Sequence, residues 1–189
     1  MQIFMLESNE KFAGYLGVTK DDDDRACQDE PPQTPAQWRV PVLEEYLGDP
    51  PRKPRRKGDF HSTGHSAYFS ERAVEVLGEM LNQYGVMLPI KIQGRSEVFY
   101  RFWVTKVVDC LDLERSVLVQ FGDRKDSIWV IKKPVFNIES WDGSDIFRVP
   151  RDLNFICFVS ERFVEICKEK KIKGIGFYRE RFDPNPILI

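Results

Sequence analysis

Two stretches of this chain repeat one another. Ser70-Glu71-Arg72-Ala73-Val74-Glu75-Val76-Leu77 and Ser160-Glu161-Arg162-Phe163-Val164-Glu165-Ile166-Cys167 agree at five of eight positions. Two further pairs, Val76/Ile166 and Leu77/Cys167, are apolar in both. Each octet follows an apolar run and precedes a glycine and another apolar run, which in the second copy is Gly174-Ile175-Gly176-Phe177-Tyr178. Serine is a good N-cap because its hydroxyl accepts a bond from an otherwise orphaned backbone N–H. The glutamate after it faces the positive end of the helix dipole. In the first copy Ala73, Val76-Leu77, Met80-Leu81 and Tyr84 recur at helical spacing, and Gly85 is placed to stop the helix. A helix with one apolar face needs a partner surface, so the repeat predicts two similar strand–helix units in one globule. The competing explanation is chance, since Ser-Glu starts are common among capped helices.

The remaining pattern predicts strands. Residues 98–109 are rich in β-branched and aromatic side chains and read as one long strand. Residues 116–121 and 127–135 read as two more, turned at Gly122-Asp123, and 145–149 as a short one. The run 86–92 is apolar but interrupted by Pro89. The expected fold is α+β. A mostly antiparallel sheet, built from 97–149 with strands at 1–6, 155–159 and 174–179, would be covered by the two Ser-capped helices at 70–84 and 160–172. With 189 residues, 42% of them apolar, the chain can fill such a core.

Residues 7–58 read differently. Pro31-Pro32, Pro35, Pro41, Pro50-Pro51 and Pro54 leave little room for long regular elements. The expectation is an N-terminal strand followed by a surface excursion over 1–58, with a helical turn at 43–47 and anchors at Trp38, Val40 and Val42. The compact core would occupy 59–189. The excursion is electrically polarised. Between Glu7 and Asp49 stand eleven acidic and four basic residues, a net of −7, and between Arg52 and Lys57 five basic and none acidic. Such runs are usually solvated faces. They also steer charged protein partners. The candidate partner-binding residues are therefore Asp21, Asp22, Asp23 and Asp24 with Arg52, Arg55, Arg56 and Lys57.

Several function classes are disfavoured. A net charge of −2 and a pI near 5.8 argue against a nucleic-acid partner. No apolar run approaches the roughly 18 residues of a membrane span, and the N-terminus lacks the basic and apolar regions of a signal peptide. A cytoplasmic location is expected, with Cys27, Cys110, Cys157 and Cys167 reduced, although an even count leaves two disulfides open. Cys110 and Cys157 read as small buried hydrophobes in strands. Motifs for a nucleophile elbow, a P-loop or a dinucleotide fold are absent. Asp59, His61 and His65, with Asp109 and Asp112, are the only groups resembling metal ligands. Their spacing lies in a Gly/Ser/Thr loop and a strand-ending turn rather than along one helix face. A metal-dependent enzyme is therefore the alternative reading, and a regulatory scaffold another. No cofactor is expected.

One resemblance goes further. It is carried by Lys57-Gly58-Asp59-Phe60, by Phe69-Ser70-Glu71-Arg72-Ala73 with Leu77 and Leu81, and by Leu88-Pro89. It continues through Val107-Val108-Asp109-Cys110-Leu111-Asp112 with Ser116, then Ile146-Phe147-Arg148. Phe158-Val159-Ser160-Glu161-Arg162-Phe163 and Gly174-Ile175-Gly176-Phe177 complete it. In this order, from about Trp38 to Phe177, the chain resembles the Imm11 (DUF1629) family of bacterial immunity proteins, found beside polymorphic toxins. The resemblance implies a non-enzymatic binder that blocks one cognate toxin. The acidic 19–30 and basic 52–57 segments are not part of the family pattern.

Overall fold

The first apolar run forms strand β1 (Ile3–Ser8), and its alternation feeds two different cores. Phe4 and Leu6 face one buried cluster, Ile3 and Met5 another. Side chains of a strand point alternately to opposite faces, so a strand buried on both sides reads as a continuous apolar run. The computed structural model describes residues 2–47, 55–63, 66–121, 124–152 and 156–189. After β1 come β2 (Tyr15–Gly17), α1 (Lys20–Ala26) and β3 (Val42–Glu45), then β4 (Phe60–Thr63) and β5 (Ser66–Ser70). Helix α2 (Glu71–Tyr84) runs directly into β6 (Gly85–Ile92), followed by β7 (Phe99–Val104), β8 (Val117–Phe121) and β9 (Arg124–Lys133). The chain ends with β10 (Ile146–Phe147), β11 (Phe158–Ser160), α3 (Glu161–Glu169), β12 (Ile175–Tyr178) and β13 (Ile187–Leu188).

These strands do not make the single helix-covered sheet that the sequence predicts. The fold is mixed α/β and mostly sheet, with three α-helices among the described residues. An antiparallel five-stranded sheet has the order β10-β11-β1-β12-β13. A six-stranded sheet, β2-β3-β6-β7-β5-β4, is antiparallel except where β3 joins β6 in parallel. It curls until its two edge strands nearly meet. There the Tyr15 N–H on β2 donates to Nε2 of His61 on β4 at 3.2 Å. A two-stranded ribbon, β8-β9, stands apart.

Tertiary pairing overrode local signals in the N-terminal third. Residues 43–45 are strand rather than a helical turn, because Leu43 is buried inside the barrel-like sheet and pairs with Ile92. Of the three expected anchors, Trp38 is held most firmly, its Nε1 donating to Pro89 O at 2.7 Å and its ring standing edge-on to Trp103, whereas Val40 is exposed. Pro89 itself sits within β6, opposite Tyr100, beyond the stretch of β6 that β3 covers. A missing N–H is harmless on such an uncovered edge. The long run at 98–109 is strand only to Val104. Val107 and Val108 pair instead with Arg148. Cys110 and Cys157 are buried free thiols, yet neither lies in a strand: Cys110 is in the connection between β7 and β8, and Cys157 immediately precedes β11.

Three cores follow from this arrangement. The largest lies between the five-stranded sheet and the outside of the barrel, and it takes Ala73, Leu77 and Leu81 of α2 with Phe163, Val164 and Cys167 of α3. A second fills the gap between the other face of β1 and the ribbon, around Phe147, Phe158 and Ile131. The third is the barrel interior, with Tyr15, Leu43, Tyr68, Ile90 and Phe99.

Candidate functional site

The sequence repeat is a structural repeat, and it extends further than the octets. In each copy an aspartate precedes a short strand whose antiparallel partner leads into the helix. The Ser70 hydroxyl accepts from Ala73 N–H and donates to Asp59 Oδ1; the Ser160 hydroxyl accepts from Phe163 N–H and donates to Asp145 Oδ1. Arg72 then pairs with Asp59 at 2.7 Å and Arg162 with Asp145 at 2.6 Å. Thus the serine caps the helix, the aspartate orients the serine, and the arginine two residues on neutralises the aspartate. Asp145 was not singled out from the sequence. The signal was there, in Asp59-Phe60 and Asp145-Ile146 standing ahead of equivalent strands.

Asp59 is the more heavily used of the pair. Burial pushes its carboxyl up, but the bonds from Arg72, Lys173 N–H and Ser70 outweigh burial and hold it below its ordinary value. Arg72 also donates to the carbonyls of Lys170 and Lys171, just past the end of α3. Asp59 N–H and Phe60 N–H both donate to Lys173 O. The 170–174 loop is therefore clamped against the start of α2.

This clamp floors a surface groove of about 470 Å³. Lys57, Arg72, Arg95, Lys171 and Lys173 line it. Its two carboxylates, Asp59 and Glu97, are already paired with Arg72 and Arg95.

The acidic run is not a free loop. Thr19 caps α1, and Asp21 to Asp23 occupy its first turn, where carboxylates suit the helix dipole. Asp22 is buried. It accepts from Val42 N–H at 2.9 Å, from Thr19 and from Arg25, and these bonds, that of Val42 foremost, hold its carboxyl at about 2. Asp23 accepts from Gly17 N–H. Asp21 pairs with Arg25 but remains largely exposed, and Asp24 is exposed. The other end of α1 is tied down by the barrel. Ser66 and Tyr68 donate to Ala26 O, and the buried Arg101 donates to the carbonyls of Arg25 and Gln28 while lying over the Trp103 ring. Burial lowers the Arg101 guanidinium to about 10.

Arg55, Arg56 and Lys57 are exposed. The Arg56 carbonyl accepts from Ala13 N–H, and the Arg55 side chain donates through Nη1 to Glu10 O, which ties this segment to residues 10–13. Arg52 and His65 lie outside the described residues.

The Asp/His group is dispersed. The Asp59 carboxylate is engaged as above, whereas His61 faces Tyr15 and Ser8. Backbone N–H only donates, so His61 Nε2 must accept, and Nδ1 carries the proton toward Ser8 Oγ. Burial drives the imidazole down to about 4. Asp112 accepts from Glu114 and Arg115 N–H in a turn, and Asp109 is exposed. Among the described residues no three His, Cys, Asp or Glu side chains gather in a way that could hold a metal ion. Nor is any helix among them long and apolar enough to cross a membrane.

The chain belongs to the Imm11 immunity protein family: the family's model matches residues 86–180, half of its length. The match begins at β6 and ends just after β12, so it takes in the second Asp-Ser-Arg unit but not α1 or the basic segment. No curated protein matches the chain.

Proposed function

We propose that this protein neutralises a cognate toxin of a bacterial polymorphic toxin system by direct protein–protein contact, in the cytoplasm and without catalysis. Membership of the immunity family carries the reading. The surface supports it. Asp21 and Asp24 stand exposed on a helix fixed to the barrel, and Arg55, Arg56 and Lys57 stand exposed on a segment bridged at Arg56 to Phe12. Charged side chains on a rigid scaffold raise association rates and set partner choice. Asp22 and Asp23 act through α1 by holding it in place. Arg52 belongs to the same basic segment and remains a proposed contact.

The test is co-expression of the tagged protein with the product of the toxin gene beside its own. A one-to-one complex in size exclusion, with relief of growth arrest, is the expected result. Relief without any complex would overturn direct binding in favour of an indirect mechanism, and neither relief nor a complex would favour a scaffold unrelated to toxins.

A further inference from the structure

The groove between the first unit and the loop after α3 has a charge imbalance that the fold does not require. Its two carboxylates are each already matched by an arginine, which leaves Lys57, Lys171 and Lys173. Among the described residues none of these three lysines has a carboxylate within ion-pairing distance. The positive end of the α2 dipole lies at the same rim, where Arg72 lines the groove.

Lys171 is also in the wrong conformation for a lysine. Helix α3 ends with Ile172 N–H bonded to Cys167 O and Lys171 N–H bonded to Lys168 O. That is a Schellman ending, whose left-handed position is normally glycine. Here it is Lys171, at φ 54°. Three residues later, Gly174 stands at φ 93°, where a Cβ would meet Phe60 O at 2.7 Å. Glycine is used where space demands it. At 171, where it would relieve backbone strain, a cation stands instead. Strained residues persist where the surroundings over-determine them, and they cluster at functional sites. The clamp on this loop supplies that over-determination, through Asp59 to Lys173 N–H and Arg72 to Lys171 O.

We infer that this groove is the subsite that receives a carboxylate-bearing segment of the toxin, with Lys57, Lys171 and Lys173 pairing to its acidic side chains. The inference rests on the direct-binding reading above. Its appeal over a nucleic-acid site is that three lysines in one groove, on a chain of net charge −2, form a local rather than an extended footprint.

The test uses the intact protein with the toxin from the adjacent gene. Affinity is measured for the wild type, K171G, and the triple variant K57Q/K171G/K173Q, in about 50 mM and about 300 mM salt. The triple variant is expected to bind roughly tenfold or more weakly at low salt, K171G roughly threefold, and both gaps should narrow at high salt. K171G relieves strain, so its weakened binding cannot be ascribed to unfolding; thermal melts check this. A wild type that binds with variants unchanged would overturn the groove while leaving direct binding intact. A wild type that forms no complex would overturn both. A triple variant that keeps the toxin but loses a single-stranded oligonucleotide bound by the wild type would overturn the groove in favour of nucleic acid.

Discussion

Arg72 holds Asp59 by two parallel hydrogen bonds, Nε to Oδ1 at 3.0 Å and Nη2 to Oδ2 at 2.7 Å. Its counterpart Arg162 reaches Asp145 through Nη1 alone. The two units share a motif but not a burden. Arg72 also caps carbonyls at the end of α3, and its side chain is 46% exposed against 71% for Arg162. Solvent screening reduces what either exposed arginine contributes. Arg72→Ala is therefore expected to cost about 1–2 kcal/mol and Arg162→Ala about 0.5 kcal/mol or less. Urea unfolding of both variants checks the ranking, and an equal cost would mean that the clamp on α3 contributes nothing.

His61 predicts the acid limb of the stability curve. Its ordinary value is 6.5, and in the folded barrel it is about 4. Between these values the unfolded chain binds a proton that the folded chain does not. Stability from this group is thus fully present above pH 6.5 and is lost as pH falls toward 4, by about 3 kcal/mol at most. Below about 4 its contribution is flat. Asp22 acts lower still: its stabilisation is present above its ordinary 3.8 and is lost as pH falls through about 2. His61→Gln should lower stability at neutral pH and remove the slope between pH 6.5 and 4. Denaturation series at half-unit steps of pH would show whether the slope survives.

The thiols should respond to unfolding rather than to pH. Burial raises Cys110 to about 11 and Cys157 and Cys167 to about 12, and Cys27, only half-buried, is raised as well. Thiolates are the reactive species. Alkylation of the native protein at neutral pH is expected to be slow, with Cys27 modified first and the others only in denaturant. Mass spectrometry of a timed reaction reads this directly, and fast native labelling of Cys157 would contradict its burial.

Lys171→Gly should stabilise the fold. A left-handed non-glycine residue costs roughly 1–2 kcal/mol, and the added freedom of glycine in the unfolded chain returns part of it. The expected net gain is about 0.5–1 kcal/mol, seen as a higher urea midpoint. A loss would mean that the side chain of Lys171 contributes packing.

What could be read from the sequence was what local chemistry dictates. Ser70 and Ser160 cap helices because of their own hydroxyls and the turns that follow, and both were legible. Strands β1, β8, β11 and β12 announce themselves by apolar runs. The barrel was not legible, since its closure depends on Tyr15 meeting His61, 46 positions apart, and on Leu43 finding Ile92. A histidine such as His61 in a Gly/Ser/Thr stretch reads as an exposed turn until the strand pairing that buries it is known. The acidic run misled for a related reason. Four aspartates look like a solvated loop, but Thr19 caps them and Arg101, 76 residues from Arg25, receives the end of their helix. The groove combines residues from 57 to 173, and no window of sequence contains it.

The docking of α1 allows structural and partner-facing acids to be separated. A Cβ on Gly17 would stand 2.2 Å from Asp23 N and 2.6 Å from Asp23 Cα, both backbone atoms that cannot swing aside. Gly17→Ala must therefore push α1 away from β2 and stretch the Asp22 bond to Val42 N–H and the Arg101 bond to Arg25 O. It should cost about 2 kcal/mol and speed hydrogen exchange selectively over residues 20–27. Asp21→Ser with Asp24→Ser removes only exposed carboxylates and should change stability by about 0.5 kcal/mol or less. If α1 presents those carboxylates to the toxin, the double serine variant weakens the complex without altering exchange. Gly17→Ala weakens it through displacement of the helix, with faster exchange as the distinguishing mark. A complex indifferent to both changes would remove α1 from the interface and leave the basic groove to carry recognition.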